Sequence, residues 1–195
     1  MSTENPLEIL NRRNAEVAKI RGFVDLTEEA KERRIAEVQE RARAEYQQAL
    51  EDAERERAER LQRSKRAVYR VPVPAIATEA EAAQIRAAYR AARSDIEAMI
   101  APALGTDPSY VQTELERFLE QAELTQDPEL ARAAYHVAIN HGVQSVVDSY
   151  LSSRPTENMA WESYTEAQQE VEESRGVGFM LERALGDRAF SSLPE

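Results

Sequence analysis

The chain contains no cysteine, which excludes disulfides, thiolate-ligated zinc, iron–sulfur clusters and thiol catalysis. It has only six glycines and eight prolines in 195 residues, too few for a loop-rich or disordered protein. β-Branched residues are sparse, so strands are not expected. No apolar run approaches the roughly 20 residues needed to cross a bilayer, so no membrane association is expected. Met1 to Leu10 has neither a basic start nor an apolar core, so no signal peptide is read there. Lysine is nearly absent, occurring only at Lys19, Lys31 and Lys65.

What is present is Ala, Glu, Arg and Gln, all strong helix formers. Leu26 to Arg70 runs without one Gly or Pro. As a single helix of about 40 residues it would be on the order of 60 Å long. The expected class is therefore all-α: an N-terminal helical hairpin with one long helix, followed by a C-terminal bundle of four to five helices. Residues 1–70 form the hairpin and rod, 71–77 a Pro-marked linker, and 78–195 an acidic bundle. Charge follows this division. Residues 1–70 carry 16 basic and 15 acidic side chains, and residues 71–195 carry 9 and 21. An acidic bundle repels nucleic acid and anionic lipid.

Local signals set the helix boundaries. Asn5-Pro6 reads as a cap followed by Pro at the first helical position, and Leu7, Leu10, Val17 and Ile20 recur at helical spacing until Gly22. Thr27 caps the rod, whose first turn holds Glu28 and Glu29. Its apolar stripe is Ile35, Val38, Ala42, Tyr46, Leu50, Ala53, Arg57, Leu61, Ser64 and Val68, a period of about 3.7, which favours straight packing over a heptad coiled coil. The stripe is thin. Its first half is expected to pack on helix 6–21, and its second half to be open to a partner. Val71-Pro72-Val73-Pro74 ends the rod. Thr78 to Glu81 fits a capping box, Asp107-Pro108 and Asp127-Pro128 are cap-plus-Pro starts, and Pro155 starts another helix. The helix from Pro128 is read through to Leu151. Arg175-Gly176-Val177-Gly178 is read as a hinge or C-cap, followed by a short tail with Phe179, Leu181, Leu185 and Phe190.

No catalytic signature emerges, and no enzyme, cofactor or metal is expected. His136 and His141, the only histidines, lie about 140° apart around a helix and cannot face one metal. One is read as partly buried, the other as exposed or near a C-cap. The pairs Glu120/Glu123 and Glu170/Glu173 read as solvated faces. Gly176-Val177-Gly178 is too short to cradle phosphate. Trp161, with Met159, Tyr164, Phe179 and Met180, reads as core, or as a contact patch if exposed. The rod ends in a basic tip, Arg60, Arg63, Lys65, Arg66 and Arg70. Its roles are dipole complementation, docking onto acidic protein such as the chain's own bundle, or, as the alternative function, a nucleic-acid-associated regulator. Partner-binding residues are expected at Ile35, Val38, Tyr46, Leu50 and Leu61.

The segments NPLEILNRRNAEVAKIRGF, LTEEAKERRIAEVQERARAEYQQAL and AQIRAAYRAARSDIEAM give the chain a recognisable look. It resembles small helical proteins encoded among the virion-assembly genes of actinobacterial phages and prophages, and the abundance of Arg over Lys fits a GC-rich genome. It is also similar in composition to phage scaffolding proteins, from which it departs in having an acidic rather than a basic C-terminal end. The resemblance implies a non-enzymatic structural or assembly protein, head- or tail-associated. Its partners would be protein, either further copies of itself or phage structural proteins, and its place the host cytoplasm or the virion. It transfers no functional residues.

Overall fold

The computed structural model describes the backbone of residues 6–185 and the side chains of residues 6–174. Seven helices account for the described chain: α1 (Pro6–Arg21), α2 (Glu28–Val68), α3 (Glu79–Ile100), α4 (Pro108–Thr125), α5 (Pro128–His141), α6 (Gln144–Leu151) and α7 (Pro155–Leu185). A 3-10 turn, Ala101–Ala103, follows α3, and no strand occurs among the described residues. The protein is all-α, with an N-terminal hairpin, one long helix and a C-terminal bundle.

The starts of α2, α3, α4 and α5 are each made by a side chain that satisfies backbone N–H groups left without helical partners. The Ala30 amide donates to Thr27 Oγ1 at 3.3 Å at the head of α2. Thr78 and Glu81 form a reciprocal capping box: the Glu81 amide donates to Thr78 Oγ1 at 3.3 Å, and the Thr78 amide to Glu81 Oε2 at 2.7 Å. That second bond holds the Glu81 carboxyl below the ordinary carboxylate range. Asp107 and Asp127 accept from the Tyr110 and Leu130 amides at 3.0 and 2.9 Å, each with Pro at the first helical position. These local patterns are legible in sequence because all the atoms involved lie within four residues.

Two boundaries differ from the sequence expectation. The helix expected over 128–151 is divided in two. Gly142 takes the left-handed conformation (φ +69°), and its N–H closes α5 onto the Ala138 and Ile139 carbonyls. Gly176-Val177-Gly178, expected to interrupt the last helix, lies inside α7, which is continuous from Pro155 to Leu185. A glycine within a helix costs only about 1 kcal/mol relative to alanine, and no proline is near to remove a donor. The tail expected after it falls partly within α7, while Phe190 lies outside the described residues.

The chain forms two compact units, one of α1, α2 as far as Arg63 and α7 from Thr165, the other Ser64–Tyr164. The expected cut at 71–77 is placed differently because the last turn of α2 packs with the bundle that follows it. In the first unit α1 and α2 run antiparallel. Arg12 pairs with Glu45, and Arg41, one turn earlier on α2, pairs with Glu16, one turn later on α1. About one turn before Arg12, Ile9 packs with Ala42 and Ala49, with Tyr46 beside them. In the second unit α5 is the hub, touching α3, α4 and α6. Seven of its 14 residues are buried: Ala131, Ala133, Ala134, Tyr135, His136, Val137 and Ala138. The four alanines among them let neighbouring helices approach closely, while Tyr135, His136 and Val137 fill the space between. Ile96, Ile100, Leu115, Leu119, Val146, Val147 and Tyr150 complete the interior.

Candidate functional site

The most ordered polar constellation in the second unit sits where α2 ends. The final carbonyls of a helix have no partner inside it. The carbonyl of Val68, the last residue of α2, is taken by a side chain from α5: His136 Nε2 lies 3.0 Å from it. A carbonyl can only accept, so Nε2 carries the proton and Nδ1 of the neutral ring is the acceptor. Nδ1 is 2.7 Å from Tyr89 Oη on α3, so the tyrosine donates. One imidazole therefore ties α2, α3 and α5 together. It is wholly inaccessible to solvent, and the rings of Tyr69 and Tyr135 lie about 5 Å from it, at 5.0 and 5.2 Å.

Electrostatics keep this ring neutral. Burial pushes the His136 pKa down to about 4, with the Arg132 and Arg93 guanidiniums acting in the same direction and the Val68 carbonyl opposing them. Other contacts support the same turn. Tyr69 Oη donates to Asn140 Oδ1 at 2.8 Å. Arg132 Nη1 donates to the Arg70 carbonyl at 3.4 Å and Nη2 to Glu157 Oε1 at 3.1 Å. Burial raises the pKa of the Tyr69, Tyr135 and Tyr150 phenols. Tyr135 and Tyr150 stack with centroids 4.3 Å apart, and the Arg154 guanidinium lies 4.2 Å from the Tyr150 ring centroid. The Tyr135 hydroxyl is buried without a hydrogen-bond partner among the described residues. This arrangement joins helices. It offers no access for a substrate to the Tyr89–His136 pair.

The residues singled out in sequence fall in several places. All ten positions of the α2 stripe are buried or half-buried, which confirms it as one face. Ile35, Val38, Tyr46, Leu50 and Leu61, expected to meet a partner, are each half-buried by the chain itself. Within the basic tip, Arg60 reaches back to its own chain, donating to both Glu170 oxygens at 2.8 and 3.0 Å. Arg63, Lys65, Arg66 and Arg70 are exposed, and none forms a salt bridge among the described residues. His141 is exposed at the end of α5. Trp161 is half-buried against Tyr164, whereas Met159 is 70% exposed. Phe179 and Met180 side chains lie outside the described residues. No group of three or more metal-ligating side chains occurs among the described residues.

The two most exposed large apolar positions of the hairpin turn are Phe23 and Val24, 41% and 93% accessible. A shallow apolar groove of about 360 Å³ lies beside the linker, lined chiefly by Val71, Pro72, Val73, Pro74, Ile85 and Pro128. Sequence reasoning missed the Tyr89–His136–Val68 junction. Its only signal was a histidine amid alanines on a helix with Tyr89 on the buried stripe of another.

No family model, curated protein or solved structure matches the chain. No helix among the described residues is long and apolar enough to cross a membrane.

Proposed function

We propose that this protein is a non-enzymatic α-helical interaction protein that serves phage particle assembly, as a head- or tail-associated component acting in the host cytoplasm or within the virion. The observation that carries the reading is the hairpin turn. Val24 is almost fully exposed and Phe23 partly so, at the junction of two helices whose own apolar faces are already turned toward one another. An exposed aromatic and aliphatic pair on a rigid, charged support has the character of a contact anchor. In this reading Ile35, Val38, Tyr46 and Leu50 hold the hairpin in shape, and the partner contact falls to the turn. The partner is protein, either another copy or a phage structural protein.

The test is mass spectrometry of purified particles and assembly intermediates from the encoding phage or induced prophage. The chain is expected among them, and the double substitution Phe23→Asp with Val24→Asp is expected to cut its incorporation while leaving unfolding of the second unit unchanged. Absence of the chain from both fractions, or equal incorporation of the double variant, sinks the proposal. A second reading, a nucleic-acid-associated regulator, draws on the exposed Lys65, Arg66 and Arg70, which form no salt bridge among the described residues. Phosphate contacts must weaken steeply with salt, so no binding to duplex DNA or RNA at low salt removes it.

A further inference from the structure

Buried histidines are ordinary, but this one holds the end of a helix, and that placement has a consequence. We propose that the junction at His136 is a protonation-sensitive latch, which holds the last turn of α2 and the start of the linker on the bundle at neutral pH and lets Ser64–Arg70 detach in acid while α4, α5 and α6 stay folded. The inference does not depend on the assembly role.

The geometry supplies both halves of the device. In the neutral ring Nε2–H donates to the Val68 carbonyl and Nδ1 accepts from Tyr89 Oη, so every polar atom of the imidazole is satisfied in a dry site. Protonation makes both nitrogens donors. Nδ1–H would then point at the Tyr89 hydroxyl, whose own proton must turn away. The surroundings it meets are cationic, because the Arg93 guanidinium on the same helix as Tyr89 acts on both the Tyr89 side chain and the imidazole. A second positive charge would thus enter a pocket that already faces Arg93 from α3 and Arg132 from α5.

The surrounding groups leave that charge uncompensated. From α2 and the linker, Tyr69 and the Val68 carbonyl face the ring. From α3 come Tyr89 and Arg93, the latter ion-paired with Glu97 at 2.8 Å. From α5 come Arg132 and Tyr135. From α6, Tyr150 stacks on Tyr135. From α7, Glu157 is engaged by Arg132, and Tyr164 lies toward Tyr69. The two nearby carboxylates are therefore already committed to arginines, and no carboxylate among the described residues hydrogen-bonds or ion-pairs with the imidazole.

The least costly release is local. The α2 turn meets the latch through Val68 and Tyr69, and Arg70 through a single 3.4 Å bond from Arg132. By contrast α5 is locked between α3, α4 and α6. A ring that titrates at about 4 when latched and at 6.5 when released makes detachment about twentyfold more favourable at pH 5 than at pH 7. The sign follows from the depressed value: the latch is fully closed above pH 6.5 and is progressively lost as pH falls toward 4.

Hydrogen exchange on the full chain tests this, with protection factors corrected for the intrinsic pH dependence. Between pH 7 and 5, protection of Ser64–Arg70 is expected to fall about twentyfold while that of Leu115–Leu119 in α4 holds. His136→Gln should remove the pH dependence of that fall. Unchanged protection at Ser64–Arg70, simultaneous loss in α4, or the same fall in His136→Gln overturns the latch. Should that variant not fold, NMR titration of the wild-type His136 imidazole decides: a midpoint well below 6.5, together with the fall in protection at Ser64–Arg70, upholds the proposal, and a midpoint near 6.5 overturns it.

Discussion

Removing one hydroxyl from two tyrosines of the same bundle should change stability in opposite directions. The Tyr135 hydroxyl is buried and has no hydrogen-bond partner among the described residues, so the native state bears the cost of stripping its water. That cost is about 1–3 kcal/mol for a hydroxyl. Tyr135→Phe keeps the ring and its 4.3 Å stack on Tyr150, so it should raise stability by about 1 kcal/mol. Tyr89→Phe makes the same chemical change where the hydroxyl donates to His136 Nδ1 at 2.7 Å. It removes one bond and leaves a buried ring nitrogen without a donor, so it should lower stability by about 2 kcal/mol. The chain's only tryptophan, Trp161, lies in the same unit and reports its unfolding. Urea titrations at pH 7, followed by its fluorescence, should show the midpoint rising for one variant and falling for the other, with unchanged slope. Equal losses in both variants would refute the assignment of these two hydroxyls.

Three further outcomes follow from the packing. Ile9→Ala, at a residue only 2% exposed against Ala42 and Ala49, should cost about 2–4 kcal/mol, read as loss of helical signal at lower urea than in the wild-type chain. Charge reversal of Arg12 together with Glu45 should change stability by less than about 1 kcal/mol, and any change should vanish at high salt, because the pair is exposed. Asp127→Ala removes the acceptor for the Leu130 amide at the head of α5 and should lower the stability read from urea titration by about 1 kcal/mol.

The fold was legible in sequence wherever a few neighbouring residues decide it. Thr78, Asp107, Asp127 and Pro155 each start a helix as read, since capping is local. The stripe from Ile35 to Val68 was legible as a face because helical periodicity fixes which side chains share one side. That its first half packs on helix 6–21 was legible as well, but what covers the second half was not, since a distant neighbour leaves no mark on the pattern. Glycine was the ambiguous signal. Gly142 ends a helix and Gly176 does not, although both stand amid helix-forming residues. The latch was least legible of all. His136 meets Tyr89 and Val68 across 47 and 68 residues, and no spacing rule spans such distances.

Because the chain lacks cysteine, the central structural claim, that α1 packs on the first half of the stripe of its own α2, is open to one direct measurement. Arg12→Cys with Glu45→Cys, treated with a short bismaleimide at low protein concentration, should give a monomeric species linked within one chain. Linked dimers, or no linkage at all, would contradict the hairpin and the account of the turn that rests on it.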